Sequence, residues 1–383
     1  MEYRDFGKTG LEVSALGFGC MRFPILDGDS TRIDEQLATA MLRKAIDQGL
    51  NYVDTAWPYH MEQSEPLVGR ILQDGYREKV FLATKMPSWL VKSPEDLERL
   101  FTTQLEKLQT DHIDFYLLHA LNAGYWDNYL KLKVFDWAER KMAEGQIRHL
   151  GFSFHDRYEV FERILNGYDN WSFCQLQYNY MDVDEQAGQR GVLEAAEKGL
   201  GVVVMEPLRG GKLAVQNPPA QVAEAFRHSK RDWTMAEWAL QWLWDQKEVS
   251  LLLSGMSTME QVEQNLQSAS RSGVGSLTDH DRETIRRVQQ AWSGLAPVPC
   301  TGCEYCMPCP NGVQIPRIFK LYNESTMYDR QGRGQNAYKD EFTEDQRADM
   351  CVECGQCEDL CPQSIQIIQQ LKDAHAYLTG ETA

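Results

Sequence analysis

Asn51-Tyr52-Val53-Asp54-Thr55-Ala56-Trp57-Pro58-Tyr59 and, after a helical run, Val80-Phe81-Leu82-Ala83-Thr84-Lys85 are the stretches that decide how the rest of the chain is read. Each is a short apolar run that breaks into polar residues, as a buried strand does where it leaves a sheet. Asp54, Tyr59 and Lys85 therefore fall at or just beyond strand ends, and a third apolar run, 113–118, ends in His119. Ionisable residues delivered by successive strand ends are what a parallel β/α barrel gathers at the C-terminal mouth of its strands. A free tyrosine titrates near pH 10, so Tyr59 is a poor acid at neutral pH unless a nearby cation favours the phenolate. Lys85 can supply that cation, Asp54 can hold Lys85 charged, and His119 can orient a carbonyl. Taken singly, each reads more simply as a solvated strand end or a rim ion pair. Together, in a chain of repeated strand and helix alternations, they read as a site.

Outward from this centre the alternation continues. A hairpin over 3–13 precedes a first strand at 13–18, and further strands are expected at 52–55, 80–84, 113–118, 147–153, 173–178, 202–205 and 249–253. Helical spacing fills the intervals at 35–48, 64–73, 130–144, 158–165, 191–197, 235–245 and 259–268, and Ser93-Pro94-Glu95-Asp96 opens the third helix with an N-cap and an acidic first turn. Strands this uniformly apolar suit a parallel sheet covered on its outer face. The expected fold is α/β, a (β/α)8 TIM barrel. Trp233, Trp238, Trp242 and Trp244 read as the buried face of the seventh helix.

A barrel of this kind takes about 250 residues, and the chain has 383. The division expected is a barrel over 1–296 and an appended α-helical ferredoxin-like domain over 297–383, with Pro297-Val298-Pro299 breaking a helix at the boundary. A net charge of −17 argues against nucleic acid or an anionic membrane as partner, since either calls for a basic face. No apolar run approaches the ~20 residues of a membrane span. Residues 1–10 are polar rather than signal-like, so a cytoplasmic location is expected.

Eight of the ten cysteines crowd between Cys300 and Cys361, which without an export signal reads as metal ligation rather than disulfides. The runs are Cys300-x2-Cys303-x2-Cys306-x2-Cys309-Pro310 and Cys351-x2-Cys354-x2-Cys357-x3-Cys361-Pro362. The second has the spacing of bacterial ferredoxins, in which the fourth cysteine ligates the other cluster. Two [4Fe-4S] clusters are expected, one on Cys300, Cys303, Cys306 and Cys361, the other on Cys351, Cys354, Cys357 and Cys309. All-cysteine zinc sites are also built from closely spaced pairs and remain the alternative.

At Asp54, Tyr59, Lys85 and His119 the chain resembles the aldo-keto reductase superfamily, and with its cysteine tail it is similar to a branch carrying a C-terminal ferredoxin-like domain. The resemblance implies a catalytic tetrad of these four residues, NADP or NAD as cofactor, and a small carbonyl or alcohol substrate. It places Gly19, Cys20 and Met21 against the nicotinamide end, with Ser153 and Gln175 on the carboxamide and Met205 where a stacking aromatic is usual. Phe154 stands where the family has asparagine. Leu208, Gly210 and Lys212 lie in the loop implied to fold over the pyrophosphate, and Gly255, Ser257, Gln261, Gln264 and Asn265 at the adenosine end. NADPH-preferring relatives carry basic residues at the positions of Gly255 and Gln261. The function implied is hydride transfer between NAD(P)H and a carbonyl compound with Tyr59 as general acid. The alternatives are a reductase using single-electron chemistry through the clusters, with an electron-carrier protein as partner, and a redox-sensing nucleotide-binding protein without turnover.

Overall fold

The computed structural model describes residues 1–227 and 229–381; the last two residues of the expected C-terminal domain lie outside the described residues. A hairpin, β1 (Tyr3–Asp5) and β2 (Glu12–Ser14), precedes eight parallel strands. These are β3 (Leu16–Gly19), β4 (Tyr52–Asp54), β5 (Phe81–Met86), β6 (Ile113–Leu121), β7 (Ile147–Phe154), β8 (Phe173–Gln177), β9 (Gly201–Met205) and β10 (Leu251–Ser254), closed into a barrel by pairing of β10 with β3. The expected first strand at 13–18 is therefore split. Val13 and Ser14 pair with Arg4 and Tyr3 in the hairpin, and the barrel strand begins at Leu16.

Strand periodicity sets the interior. Tyr52, Ala83, Phe115, Leu117, Phe173, Val203, Leu251 and Leu253 form one buried cluster with Phe6, whose ring plugs the hairpin end 4.6 Å from Phe115. Glycine at 151 is required by this crowding, since a Cβ there would meet the Phe173 ring at 2.5 Å. Two residues further along the same strand faces stand Asp54, Lys85, His119, Ser153, Gln175 and Met205. The alternation that fills the barrel therefore aims these six into its mouth. Phe154, one residue out of phase, joins the outer layer, buried and 5.4 Å from Phe161.

The covering helices begin and end on local signals. Asp34 accepts from Leu37 N at 3.0 Å to open Glu35–Asp47, and a Ser93–Asp96 capping box opens Pro94–Leu108. The single helix expected over 130–144 is two, Ala123–Lys131 and Val134–Ala143, broken where Lys133 takes a left-handed φ of 52°. Of the tryptophans, Trp238 and Trp244 are buried on Met235–Trp244, Trp242 is half-buried against Tyr178, and Trp233 precedes the helix. Among the described residues no helix is long and apolar enough to cross a membrane.

The chain packs as two compact units: Met1–Gln216 with Arg231–Asp279, and Asn217–Lys230 with the chain from His280 on. The helix Asp279–Ser293 packs with the second unit, Trp292 lying 4.7 Å from Tyr328, so the packing division falls ahead of Pro297. Helices Ile315–Met327, Gln331–Glu341 and Ile367–Thr379 enclose a core that includes Ile318, Phe319, Tyr338, Leu371 and Leu378. Glu344–Gln346 and Ala348–Met350 form two short 3-10 turns, and the helix over Gln331–Glu341 has no apolar stripe strong enough to be read from sequence.

Candidate active site

Register brings the first three charged groups together. Gly19 pairs with Asp54 and Asp54 with Ala83, so Lys85 projects over the same interior two residues later. Lys85 Nζ donates to both Asp54 carboxylate oxygens at 2.7 and 2.8 Å, to Thr55 O at 2.8 Å and to the Tyr59 hydroxyl at 3.4 Å. Asp54 and Lys85 are fully enclosed. Removing either leaves the other charge unpaired in the interior, a cost of roughly 3–5 kcal/mol. Burial works against the Lys85 ammonium, but Asp54 and Tyr59 outweigh it and raise its pKa. Tyr59 as a residue is half-buried, yet burial of the phenol raises its pKa and Lys85 offsets only part of that. The cation therefore orients the hydroxyl and does not, by itself, bring it below the free value. Burial, with Lys85 and His155 adding, depresses the His119 pKa well below the ordinary 6.5, so the imidazole is neutral. Its ring stands edge-on to Tyr59 at 6.4 Å and, among the described residues, its Nδ1 is buried without a partner.

Tyr59 sits at the start of an unusual turn. His60, Met61 and Glu62 all take positive φ, 52°, 49° and 69°, in succession. Each non-glycine residue in this region costs about 1–2 kcal/mol, so something outside must hold the turn. Lys107, on the helix Pro94–Leu108, places Nζ 3.0 Å from Glu62 Oε2 at the exit and 3.6 Å over the Trp57 ring at the entry. Sequence reading missed Lys107 because it lies 48 residues from Tyr59 on another element. Lys107→Met, which keeps the stem and loses the charge, is expected to speed amide hydrogen exchange across 59–64 and to slow turnover roughly 10-fold through misplacement of Tyr59. Exchange unchanged in that turn would mean it holds itself.

The residues expected at a dinucleotide fall in three groups. Around the mouth, Ser153 Oγ accepts from Ala120 N at 2.7 Å, Gln175 Nε2 faces Met205 Sδ at 3.7 Å, and among the described residues Gln175 Oε1 is buried without a partner. Cys20 is fully buried and its thiol pKa is raised by burial, consistent with a small packed residue; Met21 beside it is exposed. In the loop after β9, Gly210 and Gly211 take φ of 61° and 86°, a path open to glycine. That loop is tethered by Arg209, whose Nε lies 2.9 Å from the buried carboxylate of Asp182. Leu208 and Lys212 flank the tether, half-buried. At the last strand, Gly19 and Gly255 are close, Ser257 N donates to Gln261 Oε1 at 2.8 Å, and buried Asn265 donates to Ser254 Oγ at 3.0 Å. Gln264 is exposed and bonds Glu260 on its own helix. The orphaned Gln175 Oε1 and His119 Nδ1 fit a ligand with an amide and a carbonyl group.

In the second unit the eight tail cysteines form no disulfide and line two cavities. Cys300, Cys303, Cys306 and Cys361 line one; Cys309, Cys351, Cys354 and Cys357, with Cys306 at the edge, line the other. Among the described residues no three His, Cys, Asp or Glu side chains converge on a single ion. Zinc draws four sulfurs to about 2.3 Å from one centre, whereas these thiols ring a space, which suits a polynuclear cluster.

The Aldo/keto reductase family profile matches residues 15–288, and that of the 4Fe-4S dicluster domain matches 299–366. The chain is 28% identical over 309 residues to L-galactose dehydrogenase of Arabidopsis thaliana, 76% of this chain and 93% of that protein. It is 25% identical over 336 residues to the NADH-specific methylglyoxal reductase of Escherichia coli, 76% of this chain and 99% of that one. The holo form of an aldo-keto reductase from Bacillus halodurans superposes with a TM-score of 0.63 at 28% identity, covering 75% of this chain and 96% of its own.

Proposed function

We propose, for a chain that belongs to the aldo/keto reductase family and carries an iron-sulfur domain, that this oxidoreductase reduces a small carbonyl compound at the mouth of the barrel with Tyr59 as general acid. The observation that carries the reading is the enclosed contact of Lys85 with both Asp54 oxygens and the Tyr59 hydroxyl. A nicotinamide nucleotide supplies the hydride when bound. Asp54 holds Lys85 charged, Lys85 orients the Tyr59 hydroxyl, and neutral His119 orients the carbonyl oxygen so that it receives the Tyr59 proton as negative charge develops there. Gln175 and Ser153 are assigned to the carboxamide, and Gly19, Cys20, Leu208, Gly210, Lys212, Ser257 and Asn265 to the walls of the nucleotide groove. The two cysteine-ringed cavities support two [4Fe-4S] clusters and a second reading, in which electrons pass between the clusters and an electron-carrier protein.

Deuterated nucleotide tests the first reading. Turnover of a panel of aldehydes and ketones is expected to place deuterium on the carbonyl carbon. Product formed without deuterium, with the clusters oxidised in step, would replace this reading with the second. Neither Gly255 nor Gln261 offers a cation to a 2′-phosphate, so the preference for NADPH over NADH is expected to stay below about 100-fold, or roughly 2.8 kcal/mol. Calorimetric titration with both nucleotides measures it.

A further inference from the structure

The outer face of the barrel wall, behind the strands that carry Asp54 and Lys85, holds a second set of enclosed polar groups. Successive residues of a strand face opposite sides, so Thr84, next to Lys85, turns out toward the helices Ser64–Ile71 and Pro94–Leu108. Glu65 Oε1 accepts from Thr84 Oγ1 and from Gln104 Nε2, each at 2.6 Å, and Gln104 Nε2 also donates to Lys85 O at 3.0 Å. Tyr116 on β6 donates to Gln104 Oε1 at 2.7 Å, which fixes the direction of the amide. Glu65, Thr84, Lys85, Gln104 and Tyr116 are all shut off from solvent. Glu65 Oε2 is buried with no hydrogen-bond partner among the described residues, and burial raises the carboxyl pKa. An enclosed carboxyl with an unpaired oxygen weakens the fold, since an apolar side chain of like size carries no such desolvation cost. What the acid provides in return is placement.

Glu65 lies in the first turn of the helix that leaves the Tyr59 turn, and Ser64 beside it donates from N to Tyr59 O at 3.2 Å. Through Thr84 and Gln104 it is tied on its other side to β5 at Lys85. Gln104 and Lys107 belong to the same helix, which therefore holds both the exit of the turn and the end of β5. We propose that Glu65 is a positioning residue of the barrel site, fastening the turn that carries Tyr59 to the strand that carries Lys85 and so setting the 3.4 Å between phenol and ammonium. The assignment rests on the reading of Tyr59 as general acid and adds what fixes its distance from the cation.

Two measurements on the full-length protein test this. In protein labelled with 13C at the tyrosine ζ carbons, the Tyr59 signal is identified by its loss from Tyr59→Phe, and no substrate is needed. Glu65→Leu is expected to shift that signal as the phenol leaves the ammonium, and Glu65→Gln, whose carbonyl still accepts from Thr84 and Gln104, to return it toward wild type. With the fastest aldehyde of the panel above, Glu65→Leu is expected to lower kcat about 10- to 100-fold, the worth of a misplacement approaching 1 Å, with KM and nucleotide affinity near wild type. Glu65→Gln is expected to recover most of that loss. In a Tyr59→Phe background Glu65→Leu is expected to cost no more than about 2-fold, because residues that act as one unit are not additive. Gln104→Met cuts the same link at its other end and is expected to repeat these results, which keeps the test open where Glu65→Leu does not fold. An unmoved Tyr59 signal, equal losses in the two backgrounds, or a folded Glu65→Gln protein as slow as Glu65→Leu overturns the assignment and leaves Tyr59 as the acid. Turnover by Tyr59→Phe at the wild-type rate overturns both.

Discussion

Tyr59→Phe is expected to lower carbonyl reduction by about 10²- to 10⁴-fold, the usual worth of a positioned general acid, while nucleotide affinity stays near wild type. Phenylalanine keeps the ring that stands against His119 and under Lys85, so only the proton donor is lost. The pH profile carries a second readout. An acid must be protonated to act, so reduction persists below the pKa of Tyr59 and fails as pH rises through it. Burial raises that pKa above the ordinary value of 10, and the alkaline fall is expected at or beyond it. His119, neutral because burial lowers its pKa well below 6.5, is expected to give no step between pH 7 and 9. Turnover by Tyr59→Phe at the wild-type rate would remove Tyr59 from the mechanism, whatever the nucleotide measurements show.

Cys361→Ala is expected to remove one cluster and spare the other, lowering iron from about eight to about four atoms per chain in anaerobically prepared protein. The cluster lost is the one beside Cys300, Cys303 and Cys306, although Cys361 belongs to the second run, because these four thiols share one cavity. Cys309→Ala is expected to empty the other cavity, which it shares with Cys351, Cys354 and Cys357. Site-resolved EPR of the two variants should therefore show complementary signals. Loss of the same signal from both, or a protein holding zinc and no iron, would contradict the crossed arrangement. Both cavities share one apolar core, so the remaining cluster is expected to be less stable in each variant.

Much of the barrel is dictated locally. Runs such as Val80-Phe81-Leu82-Ala83 bury on both faces, and the two-residue period of a strand decides which side chains enter the mouth once any one of them does. Asp54, Lys85 and His119 were legible for that reason, as was the tail, where cysteine spacing is itself the chemistry. The first strand and the helix over 130–144 were misplaced where competing contacts decide. Val13 finds a partner in Arg4 of the hairpin, and a left-handed Lys133 ends one helix and starts another, which no periodicity announces.

What the sequence by itself determined was the fold class, the strand-end polar groups and the grouping of the cysteines, because each is set by residues a few positions apart. Only the tertiary structure decided the rest. Lys107 grips the turn at Tyr59 from another helix, and burial, a property of the whole assembly, raises the Tyr59 pKa where proximity to Lys85 alone predicts a fall. Phe154 turns outward because Ser153 turns in. Arg22 reaches Gly255 only because closure of the barrel makes the first and last of its strands neighbours, a contact between residues 233 positions apart that no local pattern encodes.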